Sequence, residues 1–132
     1  MKKDGIEKTY YSNGQLESET NYKYGERNGV CKHWHINGQL KSTVNYKDAE
    51  YSGLYKRWQS NGQLTEEINY EYDQENGISK YWYDNGQLIE ETNYKDGKRN
   101  GLQTHYDYYG SLLCEINWRD DELCEIKCAG DE

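Results

Sequence analysis

The sequence contains no proline and no phenylalanine, and only 33% of its 132 residues are hydrophobic. No apolar run approaches the roughly 20 residues that a membrane-spanning helix requires, and residues 1–5 lack the apolar stretch of a signal peptide. A chain of this length with so few apolar residues cannot build a deep core. We therefore expect a thin fold that is cytoplasmic as written, or secreted or attached to the surface if a leader has been trimmed.

Motifs of catalysis and cofactor binding are also missing. The sequence has no phosphate-cradling glycine loop, no Gly-x-Ser-x-Gly and no His-Glu-x-x-His. Acids occur side by side only in runs such as Glu66-Glu67, and adjacent residues of a strand point to opposite faces. We therefore predict no catalytic residues, no cofactor and no enzymatic activity.

Aromatic and acidic residues are what the sequence has in excess. Its 15 tyrosines and 4 tryptophans bury ring area while their polar ends stay in water, so disorder is not expected. The net charge of −8 disfavours nucleic acid and anionic membranes and favours a basic protein as the partner. A well-solvated surface would explain the same charge.

A repeat of 24 residues runs through the chain without a slip. The tetrapeptide Asn-Gly-Gln-Leu begins at positions 13, 37, 61 and 85, and a variant of it begins at 109. The five repeats start at Gly5, Gly29, Gly53, Gly77 and Gly101. We therefore predict a single repeat domain over residues 1–132.

The apolar pattern within each repeat predicts two strands. Counted from the first glycine, the consistent apolar positions are all even: an aliphatic residue at 2, an aromatic residue at 6, leucine at 12, a β-branched residue at 16 and an aromatic residue at 18. This period of two predicts strands whose even positions point inward. With positions 8–10 as a three-residue loop whose glycine adopts positive φ, we expect position 6 to face 12, 4 to face 14 and 2 to face 16. This register pairs Lys56 with Glu66 and Lys80 with Glu90.

The pattern as a whole resembles the MORN repeat variant family over nearly the whole chain. The resemblance rests on the repeat glycine, the aromatic residue five positions later, Asn-Gly-Gln-Leu, Asn-Tyr and a charged turn, and the fifth unit departs at Tyr109, Ser111 and Trp118. It implies an all-β fold, a curved single-layer antiparallel meander of hairpins that serves as an interaction scaffold. Bacterial proteins of this kind are often assigned as antitoxins or immunity proteins. We expect about ten to eleven strands, with residues 125–132 as a short capping strand and tail.

Positions that differ between repeats are the predicted binding residues, because the scaffold needs the uniform ones. Positions 5 and 7 vary most, and the predicted register sets position 13 opposite 5, which joins Tyr81 to Ile89 and His105 to Leu113 in an exposed cluster. Local burial in a curled sheet would explain this cluster equally well. A row of acids at position 15 is a second candidate surface. The partner-binding candidates are Tyr81, Tyr83, Ile89, His105, Leu113, His33, His35, Arg57, Glu67 and Glu91.

The histidines and cysteines give no firm metal or redox motif. His33 and His35 share one face of a strand, but no further ligand recurs beside them, so no metal site is predicted. The cysteines Cys31, Cys114, Cys124 and Cys128 are expected to be small apolar fillers in a reducing cytoplasm. A Cys114–Cys128 or Cys124–Cys128 link would instead suit a secreted protein.

The function that the sequence predicts is a non-enzymatic protein–protein interaction module of antitoxin or immunity type, which covers its partner with one face of the sheet. The alternative is a structural or adhesive repeat segment of a secreted or surface-associated protein. Nucleic acid and membrane are not expected partners, and the open edge strands leave room for pairing between copies.

Overall fold

The computed structural model describes residues 3–130, and this part of the chain contains strands and turns but no helix. It therefore contains no long apolar helix of the kind that crosses a membrane. The strands in chain order are β1 (Gly5–Tyr10), β2 (Leu16–Lys23), β3 (Glu26–Arg27), β4 (Gly29–Trp34), β5 (Leu40–Lys47), β6 (Glu50–Tyr51), β7 (Gly53–Trp58), β8 (Leu64–Glu71), β9 (Gln74–Glu75), β10 (Gly77–Trp82), β11 (Leu88–Lys95), β12 (Lys98–Tyr106), β13 (Leu112–Arg119) and β14 (Glu122–Cys128).

All of these strands belong to one antiparallel sheet with a meander topology. Its main path runs β1-β2-β4-β5-β7-β8-β10-β11-β12-β13-β14, and the two-residue strands β3, β6 and β9 pair with β2, β5 and β8 beside it. The predicted all-β meander of tandem hairpins is confirmed, but the sheet has fourteen strands rather than the expected ten to eleven, because the short strands β3, β6 and β9 were not anticipated. The last strand begins at Glu122, three residues before the predicted capping segment, and residues 131–132 of that segment lie outside the described part of the chain.

The hairpin loop has the predicted length and conformation. In the first repeat, the Tyr11 amide donates to the Gln15 carbonyl at 2.8 Å and the Gly14 amide donates to the Tyr11 carbonyl at 2.9 Å, which encloses residues 12–14. Gly14 has a φ of 88°, a conformation that strains residues with a Cβ. The Asn13 side chain supports the loop by accepting a hydrogen bond from the Gln15 amide at 2.9 Å.

The register beyond the loop differs from the prediction by one residue. Tyr10 faces Leu16 as expected, but Thr9 faces Ser18 rather than Glu17. Glu17, at position 13, is therefore an extra residue that forms a β-bulge, and all five hairpins shift at the same place. Position 4 consequently faces 15, and position 2 faces 17. The predicted pairs Lys56–Glu66 and Lys80–Glu90 are wrong, because these lysines face Glu67 and Glu91.

The bulge divides the even positions between the two faces of the sheet, so the prediction that all of them point inward is wrong. Positions 3, 5, 14, 16, 18 and 23 share what we call the tyrosine face, which in the second repeat comprises Cys31, His33, Ser42, Val44, Tyr46 and Tyr51. Positions 2, 4, 6, 12, 15 and 17 share what we call the ladder face, which there comprises Val30, Lys32, Trp34, Leu40, Thr43 and Asn45.

The most buried side chains lie on the tyrosine face. The buried hydrophobic residues are Cys31, Val44, Tyr46 and Ile68, and the buried polar residues of this face are Ser79, Thr92 and Gln103. In a single-layer sheet, a side chain becomes buried only where longer side chains on the neighbouring strands cover it. The aliphatic residues at position 2, by contrast, are exposed on the ladder face, from Ile78 at 40% to Ile6 at 58%.

Successive repeats are joined by side-chain bonds to the backbone. The position-17 amide of Asn21 donates to the Val30 carbonyl at 2.8 Å, and the bond from Asn93 to the Leu102 carbonyl repeats it at 2.8 Å. Asn69 makes the same bond to the Ile78 carbonyl at 3.0 Å, so this contact gives a structural role to the asparagine before the aromatic residue in three of the five repeats.

The cysteines differ in state. Cys114 and Cys128 face each other on β13 and β14 and form a disulfide, so the expectation of thiols is wrong for this pair. Cys31 is buried and fills space as expected, and Cys124 is an exposed thiol. The disulfide fastens the final strand to the sheet.

Candidate interaction face

A row of aromatic rings crosses the tyrosine face at positions 18 and 23, close to the turns between hairpins. Tyr46 meets Tyr51 edge to face with their ring centres 5.1 Å apart, and Tyr51 meets Tyr70 in the same way at 5.1 Å. Tyr55, from position 3, adds a third edge contact to Tyr70 at 6.5 Å. Such contacts fix the rings and present a large amphipathic surface at little cost in conformational entropy.

Arginines lie over aromatic rings on both sides of this row. The Arg27 guanidinium lies 5.5 Å from the centre of the Tyr46 ring and donates to the Tyr46 hydroxyl at 3.2 Å. The Arg99 guanidinium lies 3.7 Å from the Trp118 ring, and its Nε is 3.1 Å from an Asp121 carboxylate oxygen. Both cations are thus already engaged by the chain itself.

Between the arginines, the tyrosine face is acidic. Glu66 and Glu90 flank Tyr81 on the neighbouring strands. Burial raises the pKa of Glu75, a hydrogen bond with Tyr94 lowers it in part, and the Glu90 carboxylate raises it further. Burial and then the carboxylates of Glu75 and Glu66 raise the pKa of Tyr81, and burial with Glu75 raises the pKa of Tyr94 to about 12. Negative charge therefore predominates around Tyr81, although Arg57 faces Glu66 and Arg99 faces Tyr94 at its margins.

A polar network holds one of these acids in place. Gln103 Nε2 donates to Glu90 Oε1 at 2.7 Å and to Thr92 Oγ1 at 3.0 Å, while its carbonyl oxygen accepts from Trp118 Nε1 at 2.7 Å. His105 Nε2 lies 3.4 Å from the same Glu90 oxygen. Glu90 is thus oriented by a glutamine amide and a histidine ring rather than by an arginine or lysine.

The sequence-predicted binding residues divide between several environments. Tyr81, His105, His33 and Arg57 lie on the tyrosine face. Ile89 is a bulge residue, so Tyr81 faces Glu90 instead, and Leu113 is likewise a bulge residue, so His105 faces Cys114. The predicted cluster of Tyr81 with Ile89 and of His105 with Leu113 is therefore wrong.

Two further candidates, His35 and Tyr83 at position 7, join neighbouring repeats. His35 Nε2 is 2.8 Å from the Trp58 carbonyl, and the Tyr83 hydroxyl donates to the Tyr106 carbonyl at 2.9 Å. Tyr11 does the same to the Trp34 carbonyl at 2.5 Å. Variation at position 7 thus occurs within a structural contact rather than on a free surface.

The acids Glu67 and Glu91 lie on the ladder face and each faces lysine. Glu67 is opposite Lys56 and Lys80, and Glu91 is opposite Lys80 on one side and Thr104 on the other. They therefore form part of a row of mixed charge and not the purely acidic ladder that was predicted.

Within residues 3–130, no group of three or more histidine, cysteine or acidic side chains is arranged to hold a metal ion. His33 Nε2 lies 3.6 Å from Cys31 Sγ, and burial lowers the pKa of the His33 ring. His35 is directed to the Trp58 carbonyl, as described above.

The sequence interpretation missed the residues at position 23, which include Arg27, Tyr51, Glu75 and Arg99. They fall in the segment between hairpins and were interpreted only as turn chemistry. Their variability from repeat to repeat, the criterion that selected positions 5 and 7, was the available signal. Each pairs with the aromatic residue at position 18 of its own repeat.

The MORN repeat variant family matches residues 3–24, 27–48, 51–72 and 75–96. The chain belongs to this family. Each match begins two residues before a repeat glycine and ends in the turn that follows the second strand of the hairpin. MORN repeats commonly bind proteins or membranes and generally form non-enzymatic modules. No curated protein matches the chain.

Proposed function

We propose that this MORN repeat protein is a non-enzymatic interaction module of the antitoxin or immunity type, whose tyrosine face covers a basic segment of a partner protein. The observation that carries the proposal is the acidic, aromatic surface around Tyr81, to which Glu66, Glu75 and Glu90 contribute. Within residues 3–130, Glu75 and Glu90 have no arginine or lysine among their hydrogen-bonded partners, whereas Glu66 faces Arg57. A cation from a partner would stabilise the ionised form of Glu75, which burial disfavours.

A protein fits this surface better than a membrane does. The chain carries a net charge of −8, which opposes association with anionic lipid. The tyrosine rings offer rigid anchors of the kind that dominate protein interfaces, and they surround the acids that would receive a lysine or arginine side chain.

The experiment uses the protein encoded beside this one in its genome as the probe. We expect that protein to bind the full chain and its toxic activity to be blocked. Tyr51→Ala and Glu75→Gln should each weaken binding by about 10-fold or more, as expected for an anchor residue and a buried charge contact. Glu71→Gln, an exposed acid at the end of β8, is the matched control and should leave binding unchanged. Absence of binding by neighbouring gene products, or equal loss with the control, would contradict the proposal.

A second function, a structural or adhesive repeat segment outside the cytoplasm, is favoured by the Cys114–Cys128 disulfide. Disulfides persist in oxidising compartments and are rare where thiols are kept reduced. Counting titratable thiols in protein purified from its native source tests this candidate. Two thiols, from Cys31 and Cys124, would support it, whereas four would exclude an oxidised native state.

A further inference from the structure

The middle of the ladder face carries a row of alternating charge at positions 4 and 15. In the order of the strands across the sheet, its members are Lys8, Glu19, Lys32, Thr43, Lys56, Glu67, Lys80, Glu91, Thr104, Glu115 and Lys127. The row has five lysines and four glutamates, so its net charge is +1 in a chain of net charge −8. We call it the charge row.

Apolar rows lie on both sides of the charge row. On one side, position 2 supplies exposed aliphatic residues, such as Leu54 at 42% and Ile78 at 40%, which alternate with the asparagines of position 17. On the other side, the aromatic residues of position 6, such as Trp58, alternate with the leucines of position 12, such as Leu64. A contiguous apolar surface of this kind marks a site of association.

We propose that two copies of this chain pack ladder face against ladder face about a two-fold axis that runs parallel to the strands between β8 and β10. The order of charges leads to this axis. Reversing the strand order about it sets Glu67 against Lys80 and Lys56 against Glu91, and each pair occurs twice. Further out it sets Lys32 against Glu115, Glu19 against Lys127, and the two threonines, Thr43 and Thr104, against each other. Every member of the row except Lys8, on the edge strand, then meets a complementary residue.

The apolar rows fit under the same operation. Because the axis is parallel to the strands, each row of one copy lies over the same row of the other copy. The first strand of a hairpin in one copy then faces the second strand of a hairpin in the other. Trp58 of one copy then meets Leu88 of the other, Trp82 meets Leu64, and Leu54 lies over Asn93. Large side chains therefore meet smaller ones, and the aliphatic residues of one copy fall between those of the other, as in the packed layers of a β-sandwich.

The available area is sufficient for a stable dimer. Eleven strands spaced by ~4.8 Å span about 50 Å, and three rows two residues apart are about 15–20 Å wide, so about 750–1,000 Å² of each copy can be covered. Stable interfaces bury about 800 Å² per partner. The apolar rows supply affinity, and the charges set the register, since paired charges roughly balance their loss of hydration. Because packed sheets cross at about −30°, we expect the charge pairs nearest the axis to align best, and these are the pairs that the test below changes.

This dimer is independent of the proposed function, because it uses the opposite face. It would leave two tyrosine faces directed outward, and the assembly would be bivalent for a partner.

Complementary charge reversals of the full chain test the dimer by analytical ultracentrifugation. Lys56→Glu alone and Glu91→Lys alone each create two like-charge contacts across the axis. Each should raise the dissociation constant of its homodimer at least ~100-fold, if each contact costs a factor of ~10 or more. An equimolar mixture of the two variants restores opposite charges at both contacts and should recover a heterodimer close to the wild-type affinity.

The matched control is Arg57→Glu, which changes the same charge on the neighbouring residue but on the tyrosine face; it should dimerise like the wild type. Since Lys56 faces Glu67 and Glu91 faces Lys80 within one chain, circular dichroism must show that both reversals fold. Recovery in the mixture cannot arise from unfolded chains. A monomeric wild type, homodimers that persist in both variants, or a mixture that stays monomeric would each overturn the proposal.

Discussion

The turns between hairpins offer a direct test of how backbone conformation sets the stability of this sheet. Ala49 and Gly97 occupy the same position in the turns that follow β5 and β11, with φ values of 67° and 82°. Both residues are exposed. Their amides make the same bond, to the Arg27 carbonyl at 3.0 Å and to the Glu75 carbonyl at 2.9 Å. Ala49→Gly and Gly97→Ala therefore exchange one methyl group at equivalent sites.

The expected magnitude follows from the backbone. The left-handed conformation destabilises the folded state by roughly 1–2 kcal/mol when the residue has a Cβ. Glycine avoids this strain but loses ~0.5–1 kcal/mol more conformational entropy on folding than alanine does. The net effect is about 1 kcal/mol, with Ala49→Gly raising the free energy of unfolding and Gly97→Ala lowering it. A Cβ at Gly97 would meet Gln74 Cδ at 3.5 Å, an ordinary contact, so packing should add little.

Urea unfolding followed by tryptophan fluorescence measures both changes. For a denaturant slope of about 2 kcal/mol per molar, the midpoints should move by about 0.5 M in opposite directions. The two turns are four strands apart in the sheet's main path, about 20 Å, so the double variant should return to within about 0.5 kcal/mol of the original chain. Shifts of the same sign in both single variants would refute the reasoning.

Three other changes test the same structure. The pKa of Tyr94 is about 12 in the folded chain against an ordinary 10.0, so the unfolded chain loses this proton first; the free energy of unfolding should therefore fall as the pH rises from about 10 to 12, and less steeply in Tyr94→Phe. Cys114→Ser opens a link across 14 residues and should cost up to ~3 kcal/mol, read as faster hydrogen exchange of β14 in the absence of reductant, whereas Cys124→Ser should not. Gly62→Val places a β-branched residue at a φ of 92° and should lower the free energy of unfolding by ~1–2 kcal/mol, measured as a lower urea midpoint. An unchanged midpoint would contradict the loop geometry.

The sequence was sufficient to predict the period, the hairpins and their loops, because glycines at fixed spacing and alternating apolar residues have few other structural explanations. It did not predict the bulge. Position 13 is occupied by Glu17, Lys41, Thr65, Ile89 and Leu113, which share no chemistry, because an unpaired residue needs none. The bulge is defined only by the pairing of the two strands, so parity beyond it could not be determined from the sequence.

The bulge residue at position 13 also limits how much of the candidate face the sequence can predict. Uniform parity predicts that the tyrosines at position 18 and the leucines at position 12 share one inward layer, although they lie on opposite faces. Tyr81 and His105 lie on the tyrosine face, but they face Glu90 and Cys114 instead of the predicted Ile89 and Leu113. Tyr51 and Glu75 belong to the tyrosine face because the short strands β6 and β9 pair with β5 and β8 across a turn. In the sequence, that segment is recognisable only as a charged turn.

The bulge thus separates two surfaces that differ in how much they vary from repeat to repeat, and the difference suits them to different partners. The ladder face is nearly uniform from repeat to repeat, as a surface must be if it is to meet a second copy of itself in register. The tyrosine face changes from Arg27 through Tyr51 to Glu75 along its length, which suits a partner whose own surface is not periodic. Because Lys56 and Arg57 are adjacent yet face opposite ways, reversing one charge at a time separates these roles. Loss of dimerisation should accompany only the first change, and altered partner binding only the second.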